Sequence, residues 1–530
     1  MQGRLMFLVA LIIGLYSYLI FFLGILDLLY KNIIISLSIV YFSAVFIFIL
    51  KSKAINIGFT KTKLSKYSKL FLFLIFIQAA VNLIGALGPE LSFDALWYHL
   101  TIPKFFLENH KIFHIPGNLL YYSDLPKNID LIYLFALSFS NEILAKIIHF
   151  SFGLLSMLAL FKLSRKFLNQ EFSLLSCLIF YSNLVVGWQS TTSYVDLGRT
   201  FFEIVAIYEF LLWIDRKKLK YLIYSAIMVG FSLSVKISAF NSIGIFILLI
   251  TLIYLNKKIN FSKYIKSISK FIFYSLLVPL PYFLFSYFHT DNPIYPLFEK
   301  NFSLIYDSNP ISILNLFLFA SDPINPVYLI FLPLIILFFK RFEYKAKILI
   351  FYSVFSIILW FIISSGGGSR FILPYLPAFS ILALISISFI KNKVFKKYLL
   401  ILILMISISS IGYRALANKK YIPVILNRET KSEFLTKNLN FSFGDFYDTD
   451  GYFKKNIRRE DRVLLYGFHN LYYVDFAYID SSWVKKGDKF NYIAVQNSTL
   501  PERFLDWKEI YYNSKTKVRL YSKEGKEWVY

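Results

Sequence analysis

The sequence predicts a polytopic α-helical membrane protein with a small soluble α/β domain at its C-terminal end. Of its 530 residues, 57% are hydrophobic and 20% are aromatic, which is more apolar surface than a water-soluble core buries. Apolar runs long enough to cross a bilayer recur along residues 1–414. Residues 415–530 instead contain short β-like runs separated by polar turns.

The apolar runs predict about thirteen spans, since a spanning helix needs about twenty mostly apolar residues. The first run is too long for a signal-peptide core and lacks a small-residue cleavage site, so it is interpreted as a retained membrane anchor. The predicted spans are residues 6–27, 33–50, 69–88, 143–161, 171–188, 197–214, 219–235, 239–256, 271–288, 327–339, 348–364, 371–390 and 398–414.

Lysine and arginine are concentrated in every second loop, which predicts the orientation of the chain. Cytoplasmic loops of membrane proteins retain these residues. The basic loops are residues 51–69, 162–166, 215–220, 256–270, 340–347 and 391–397. The pattern predicts a cytoplasmic N-terminus, an outer C-terminus and therefore an odd number of spans. The loops that alternate with the basic loops, including the long loop 89–142, are then predicted to lie on the outer side.

Two outer regions are predicted to have structure of their own. Residues 96–112 mix apolar and polar residues at near-helical spacing, which is typical of an interfacial amphipathic helix. A second such helix is expected to begin near residue 128 and to lead into the fourth span. In the C-terminal domain, the predicted strands lie within residues 461–467, 472–479, 490–496, 509–513 and 518–524.

Composition also argues against several function classes. The formal net charge of +25 comes largely from the short loops, so nucleic acid is not the expected partner. The single cysteine, Cys177, excludes an intramolecular disulfide and a cysteine zinc cluster. The chain has no Walker-type or dinucleotide-type motif, which argues against a nucleotide-driven pump.

Asp94 is the first candidate for chemistry, because it follows the third span in the stretch SFDALWYHL. A carboxylate near the outer membrane surface is suited to deprotonate an acceptor hydroxyl or amine. The alternative is an N-cap of the helix that starts after it. Tyr98 and His99 follow in the same stretch as candidate neighbours of the site, and an interfacial histidine without a catalytic role is the alternative for His99.

Three further candidates lie on the same side. Asp196 and Arg199 begin the sixth span, three residues apart on one helical face, and the alternative is a helix cap with a snorkelling arginine. Lys236 lies in an otherwise apolar hairpin with no acid near it in sequence. Such a lysine is costly unless it meets an anion or snorkels to water.

Arg370 follows a run of three glycines in SSGGGSRFILPYLP. Glycine-rich backbone with a guanidinium near a helix N-terminus is suited to bind a phosphate. Asp94, Asp196 and Glu90 offer carboxylates to a divalent metal, although nothing in their spacing demands one.

Five stretches, taken in order, resemble the membrane glycosyltransferases of the GT-C fold. The similarity is to the bacterial group of protein mannosyltransferases and aminoarabinose transferases, glycosyltransferase 39-like, and it covers about residues 70 to 415. The stretches are FDALWYHLTIPKFFLENHKI, AKIIHFSFGLL, YVDLGRTFF, DNPIYPLF and RFILPYLP. This chain departs from many relatives in having Ala95 after Asp94 instead of a second acid, and in having two additional spans before it.

The resemblance implies a role for each matching residue. Asp94 falls on the family's aspartate that acts as general base or positions the acceptor, and Asp196 resembles its second acidic position. Arg370 resembles the arginine associated with a polyprenyl-phosphate donor, and Lys236 a second basic position. Tyr98, His99, Asp196 and Arg199 are then expected to position acceptor or donor.

The resemblance also implies a reaction: transfer of a sugar from a polyprenyl-phosphate carrier to a glycan, lipid or protein acceptor on the outer face of the bacterial cytoplasmic membrane. Membrane lipids are the other expected partners. A transporter or flippase of lipid-linked glycans, a glycan ligase or polymerase, and a non-catalytic scaffold are the alternatives.

Overall fold

The computed structural model describes residues 2–51, 64–257, 260–299, 322–364, 368–523 and 527–530. Helices fill the described chain up to Ile425, and strands begin at Val463. The longer helices up to Thr290 are α1 (Gln2–Ile25), α2 (Lys31–Lys51), α3 (Lys66–Ala86), α4 (Thr101–Glu108), α5 (Asn128–Leu137), α6 (Glu142–Ser164), α7 (Gln170–Tyr181), α8 (Leu184–Gln189), α9 (Asp196–Arg216), α10 (Leu219–Val235), α11 (Phe240–Lys257), α12 (Phe261–Leu277) and α13 (Leu280–Thr290).

The second half of the helical region contains shorter pieces between long helices. They are α14 (Val327–Phe331), α15 (Leu334–Phe338), α16 (Tyr344–Leu359), α17 (Ser369–Ile372), α18 (Leu376–Ser388), α19 (Lys393–Asn418) and α20 (Ile422–Ile425). Asparagine side chains start several of the helices: Asn141 accepts the backbone N–H of Ile143 at 2.9 Å, and Asn392 accepts that of Phe395 at 3.0 Å. These contacts satisfy N–H groups that have no partner within the helix.

Every predicted span coincides with helix, but the helices differ in their ability to cross a membrane. Within the described residues, eight helices are long and apolar enough, or nine if α12 and α13, bent by 62°, count as one span. The remaining predicted spans are interrupted, short or charged: α7 and α8 are separated by a break, and α9 carries several charges. The structure is that of a multi-pass membrane protein, and the number thirteen stays a prediction.

The loop between α3 and α6 contains helix, as predicted. A π-helix, Ala95–His99, leads into α4, and α5 follows. However, α5 is buried along nearly its whole length, because α1, α4 and α6 pack around it. It packs as a core helix, so the prediction of an amphipathic helix with one exposed face is wrong for this segment.

The C-terminal region forms a small mixed sheet, with α21 (Lys431–Asn438) and α22 (Tyr452–Asn456) before it. The strands of this region are β1 (Val463–Tyr466), β2 (Tyr478–Asp480), β3 (Lys489–Phe490), β4 (Tyr492–Val495), β5 (Lys508–Tyr512), β6 (Arg519–Ser522) and β7 (Trp528–Val529). The main sheet has the order β2-β1-β4-β6-β5, in which β1 is parallel to β2 and β4, and β6 is antiparallel to β4 and β5. Each predicted strand run overlaps one strand of the main sheet, although in the run 472–479 only Tyr478 and Ile479 belong to a strand.

The sheet domain packs on the segment between α3 and α6 that carries Asp94. Lys104 of α4 donates hydrogen bonds to the carbonyl oxygens of Tyr472, at 3.0 Å, and Val474, at 2.6 Å. Tyr473 donates to the carbonyl oxygen of Glu90 at 2.9 Å. Because these contacts hold both ends of the loop segment around Asp94, the sheet domain helps to fix the site.

Candidate active site

Two ion pairs join four segments that are far apart in the sequence. Arg370 Nη1 lies 2.5 Å from Asp94 Oδ2, and Lys236 Nζ lies 2.7 Å from Asp196 Oδ1. The ring of Phe371 lies beside both cations, with its centroid 4.3 Å from Lys236 Nζ and 5.4 Å from Arg370 Cζ. Four of the predicted residues therefore form one charged cluster.

Asp94 lies immediately before the π-helix, and its side chain faces the cluster. Its side chain makes no cap hydrogen bond, so the N-cap alternative is wrong. Instead, Tyr98 donates its hydroxyl to Asp94 Oδ2 at 3.0 Å. Burial has the largest single effect on the pKa of Asp94 and raises it, but the charge and hydrogen bond of Arg370, together with His99 and Lys236, hold the pKa below its usual value. Asp94 is thus ionised, and its basicity is weak while Arg370 contacts it.

Arg370 lies in the first turn of α17, and this helix begins directly after the glycine run. Residues 365–367 lie outside the described residues, so only part of the predicted glycine turn is seen. Gly368 has a φ of 64°, a left-handed conformation that suits glycine. The guanidinium lies 5.2 Å from the ring centroid of Tyr194 and contacts Phe371 from another direction. Aromatic rings thus orient this cation while its side chain stays 20% exposed.

Lys236 lies between α10 and α11 and contacts an acid that the local sequence does not reveal. The Asp196 side chain is fully buried and that of Lys236 is 14% exposed, so Lys236 is not a snorkelling lysine. Burial lowers its pKa to about 8, although Asp196 acts in the opposite direction. Asp196 Oδ2 is buried without a hydrogen-bond partner among the described residues.

Arg199 belongs to a neighbouring network instead of the charged cluster. It donates hydrogen bonds to Ser238 Oγ at 2.8 Å and to the hydroxyl of Tyr375 at 3.0 Å. The residue is 1% exposed, so it does not snorkel. It lies one helical turn from Asp196, but its partners hold the α9 helix against α18 and the turn before α11.

His99 is oriented by an acid that sequence reasoning did not single out. Its Nδ1 lies 2.7 Å from Asp130 Oδ1, and its Nε2 is buried without a hydrogen-bond partner among the described residues. The imidazole lies 4.2 Å from the ring of Tyr98 and 5.5 Å from that of Tyr194, measured between centroids. His99 therefore neighbours the Asp94 side of the cluster.

Sequence reasoning also missed two tyrosines. The Tyr194 hydroxyl accepts the backbone N–H of Asp94 at 3.2 Å, and its ring contacts Arg370. The ring of Tyr122 stacks on that of Tyr98 at 3.8 Å. A signal existed for Tyr194, which lies two residues before Asp196 in the same quoted motif. None existed for Tyr122, because its contact depends on how the loop folds back.

The three carboxylates considered for a metal do not fit one. Asp94 and Asp196 each contact a cation. Glu90 accepts backbone N–H groups, from Leu91 and Ser92 at 2.9 Å and from Ser193 at 2.6 Å. Across the part of the chain that the structure describes, no group of three or more His, Cys, Asp or Glu side chains is arranged to hold a metal ion.

The cluster combines the groups that substitution at a phosphate-linked carbon requires. Two cations can hold an anionic leaving group, and a carboxylate beside them can take a proton from a nucleophile. The Asp94 and Arg370 side chains, 11% and 20% exposed, form the more accessible pair. An anion entering the site would therefore meet Arg370 more readily than Lys236, which is 14% exposed and paired with the buried Asp196.

Comparison with known proteins gives a match of one segment to a family model and a likeness in fold to solved structures. Residues 131–284 match the family model described as dolichyl-phosphate-mannose-protein mannosyltransferase. No match was found among curated protein sequences.

Among solved structures, ArnT from Cupriavidus metallidurans in the apo state has a TM-score of 0.62 at 11% identity, covering 86% of this chain and 98% of that chain. ArnT bound to undecaprenyl phosphate has a TM-score of 0.51 at 11% identity, covering 86% and 97%. An oligosaccharyltransferase from Archaeoglobus fulgidus has a TM-score of 0.47 at 12% identity, covering 82% and 70%. The likeness to ArnT shows that this chain shares the fold of that protein, and the family match is confined to residues 131–284.

Proposed function

We propose that this protein transfers a sugar from a polyprenyl-phosphate donor to an acceptor on the outer face of the bacterial cytoplasmic membrane. The observation that carries the proposal is the convergence of Asp94, Asp196, Lys236 and Arg370 in one cluster. A further support is the matched family, whose description names a dolichyl-phosphate sugar donor.

The proposed reaction is a single displacement. The acceptor hydroxyl or amine attacks the anomeric carbon, Asp94 takes the acceptor's proton, and the bond between the anomeric carbon and the phosphate oxygen breaks. The electron pair leaves with the polyprenyl phosphate, whose charge Arg370 and Lys236 stabilise. Attack from the side opposite to the phosphate inverts the anomeric configuration. Tyr98 and His99 position the groups around Asp94, Asp196 orients Lys236, and Arg199 supports the helix that carries Asp196.

The proposal includes a topology. Thirteen spans, a cytoplasmic N-terminus and an outer C-terminus put the charged cluster and the sheet domain on the same outer side. The basic loops support this orientation. We assign residues 1–414 to the membrane-embedded catalytic domain and residues 415–530 to an outer soluble domain, whose contacts with the loop around Asp94 suggest a part in acceptor binding.

The proposal is tested in cells by deleting the gene and restoring it as wild type or as Asp94→Asn. We expect the deletion and the Asp94→Asn strain to accumulate a polyprenyl-phosphate sugar and to lose the same surface glycan modification, both measured by mass spectrometry. Asp215→Asn serves as a matched control, because Asp215 forms ion pairs with Lys166 and Lys345, in loops predicted to be cytoplasmic.

The outcomes also separate the alternatives. Full complementation by Asp94→Asn would remove Asp94 from the reaction. Lipid-linked glycans trapped on the cytoplasmic side would favour a flippase. Accumulation of unjoined lipid-linked glycan chains would favour a ligase or polymerase, which could use the same outer site.

A further inference from the structure

The ion pair between Asp94 and Arg370 places a proposed base and a proposed phosphate ligand in direct contact. One pair of atoms, Nη1 and Oδ2, makes the 2.5 Å contact. The same oxygen accepts the hydroxyl of Tyr98. If Arg370 holds the phosphate of a donor, the phosphate competes with Asp94 for the N–H donors of the guanidinium.

We propose that the donor phosphate unmasks Asp94: binding of the phosphate withdraws Arg370 from Asp94, and only then does the carboxylate become available to the acceptor. This inference rests on the proposed function and adds a compulsory order, with the donor bound before the acceptor's proton can be taken. The acceptor proton ends on Asp94, and the negative charge of the leaving phosphate replaces Asp94 at the guanidinium.

The two ion pairs of the cluster differ in a way that supports an exchange at Arg370. The Asp196 side chain is fully buried, whereas the Asp94 and Arg370 side chains are 11% and 20% exposed. Breaking the Lys236 pair would leave the fully buried Asp196 as an uncompensated charge without water. Exchange of partners is therefore easier at the Arg370 pair, while the Lys236 pair keeps its geometry and adds positive charge.

The surroundings of Arg370 allow this movement. The guanidinium is flanked by the rings of Tyr194 and Phe371, which guide a planar cation without bonding it in one position. Two other hydrogen bonds hold Asp94: Tyr98 donates its hydroxyl to the carboxylate, and the backbone N–H of Asp94 donates to the hydroxyl of Tyr194. Asp94 can thus keep its place while Arg370 shifts.

The test measures binding of undecaprenyl phosphate to the purified full-length protein in lipid nanodiscs. If the carboxylate competes with the phosphate for Arg370, Asp94→Asn binds this lipid at least roughly fivefold more tightly than wild type, which is the usual lower range of coupling between sites. Asp94→Ser serves as a second variant, and monodisperse elution confirms folding. Asp215→Asn is the control and is expected to bind as wild type does.

A double mutant separates competition from simple charge repulsion. In an Arg370→Gln background, competition disappears, so adding Asp94→Asn no longer tightens binding. Equal tightening in both backgrounds would overturn the proposal, because it would show repulsion between Asp94 and the phosphate. Unchanged binding in both Asp94 variants would also overturn it. If wild type fails to bind undecaprenyl phosphate at all, the proposed function fails with it, whereas binding without tightening leaves that function intact.

Discussion

At the scale of single residues, the charged cluster depends on burial as much as on charge. Burial lowers the pKa of Lys236, and Asp196 opposes the loss of its proton without restoring the usual pKa. A lysine of this kind carries its charge below about pH 8 and loses it above. An arginine at the same position would stay charged throughout the experimentally accessible pH range.

This difference predicts a pH dependence for lipid-phosphate binding. The folded-state pKa of Lys236, about 8, is below the usual value of 10.5, so its charge is present below about pH 8 and is lost as the pH rises through that value. We expect affinity for undecaprenyl phosphate to fall about tenfold between neutral and strongly alkaline pH, the order expected for one charged hydrogen bond. Lys236→Arg should remove the fall, and Lys236→Gln should bind weakly at every pH. A wild-type affinity independent of pH would contradict the role of Lys236.

At the scale of helices, close packing determines where the site residues lie. Helix α10 leads directly to Lys236, and it packs against α12 at Gly230. A Cβ atom at this position would lie 2.8 Å from the carbonyl oxygen of Ser275 and 2.7 Å from Cβ of Val278. Any side chain there would push α10 away from α12 and change the position of Lys236.

We therefore expect Gly230→Ala to destabilise the protein by about 1–3 kcal/mol, the usual cost of overpacking. The loss of stability is measured by thermal unfolding in detergent, with the remaining fraction of monodisperse protein as the readout. Gly412→Ala in α19 is the matched control, because a Cβ atom there would meet no atom within 4 Å. We expect the control to unfold at or slightly above the wild-type temperature. Equal destabilisation by both substitutions would refute the packing argument.

At the scale of the whole molecule, the sheet domain and the helical region meet next to the site. The ring of His469 lies 4.6 Å from that of Phe93 and 4.4 Å from that of Trp97. Lys104 donates hydrogen bonds to two carbonyl oxygens in the segment that follows His469. Since Phe93 directly precedes Asp94, movement of the sheet domain would be transmitted to the proposed base.

Removal of the Lys104 contacts should loosen this junction. Lys104→Met loses two hydrogen bonds from a charged donor, and we expect amide exchange in residues 471–474 to accelerate at least about fivefold, since each such bond contributes about 1–3 kcal/mol. Lys489→Met is the control, because its pair with Glu527 is exposed and such pairs contribute about 0–1 kcal/mol. Unchanged exchange in Lys104→Met would mean that aromatic packing and the hydrogen bond from Tyr473 to Glu90 hold the junction without Lys104.

The features that sequence reasoning predicted well are those set by local patterns. Apolar length predicted the helices, and short β-like runs between polar turns predicted the strands around Val463 and Tyr492. The ion pairs between distant segments could not be predicted, because no local pattern links Lys236 to Asp196 or Arg370 to Asp94. Arg199 was misjudged for a related reason: the helical face it shares with Asp196 is correct, but its partners come from other helices.

The most direct test of the central claim is a transfer assay with purified protein and lipid-linked sugars extracted from the deletion strain. Wild-type protein should convert the accumulated donor into free polyprenyl phosphate and glycosylated acceptor, measured by mass spectrometry. Asp94→Asn should reduce the rate by about 10²–10⁴-fold, the usual contribution of a general base, while still binding undecaprenyl phosphate. A rate for Asp94→Asn equal to that of wild type would contradict the claim that this carboxylate takes the acceptor's proton.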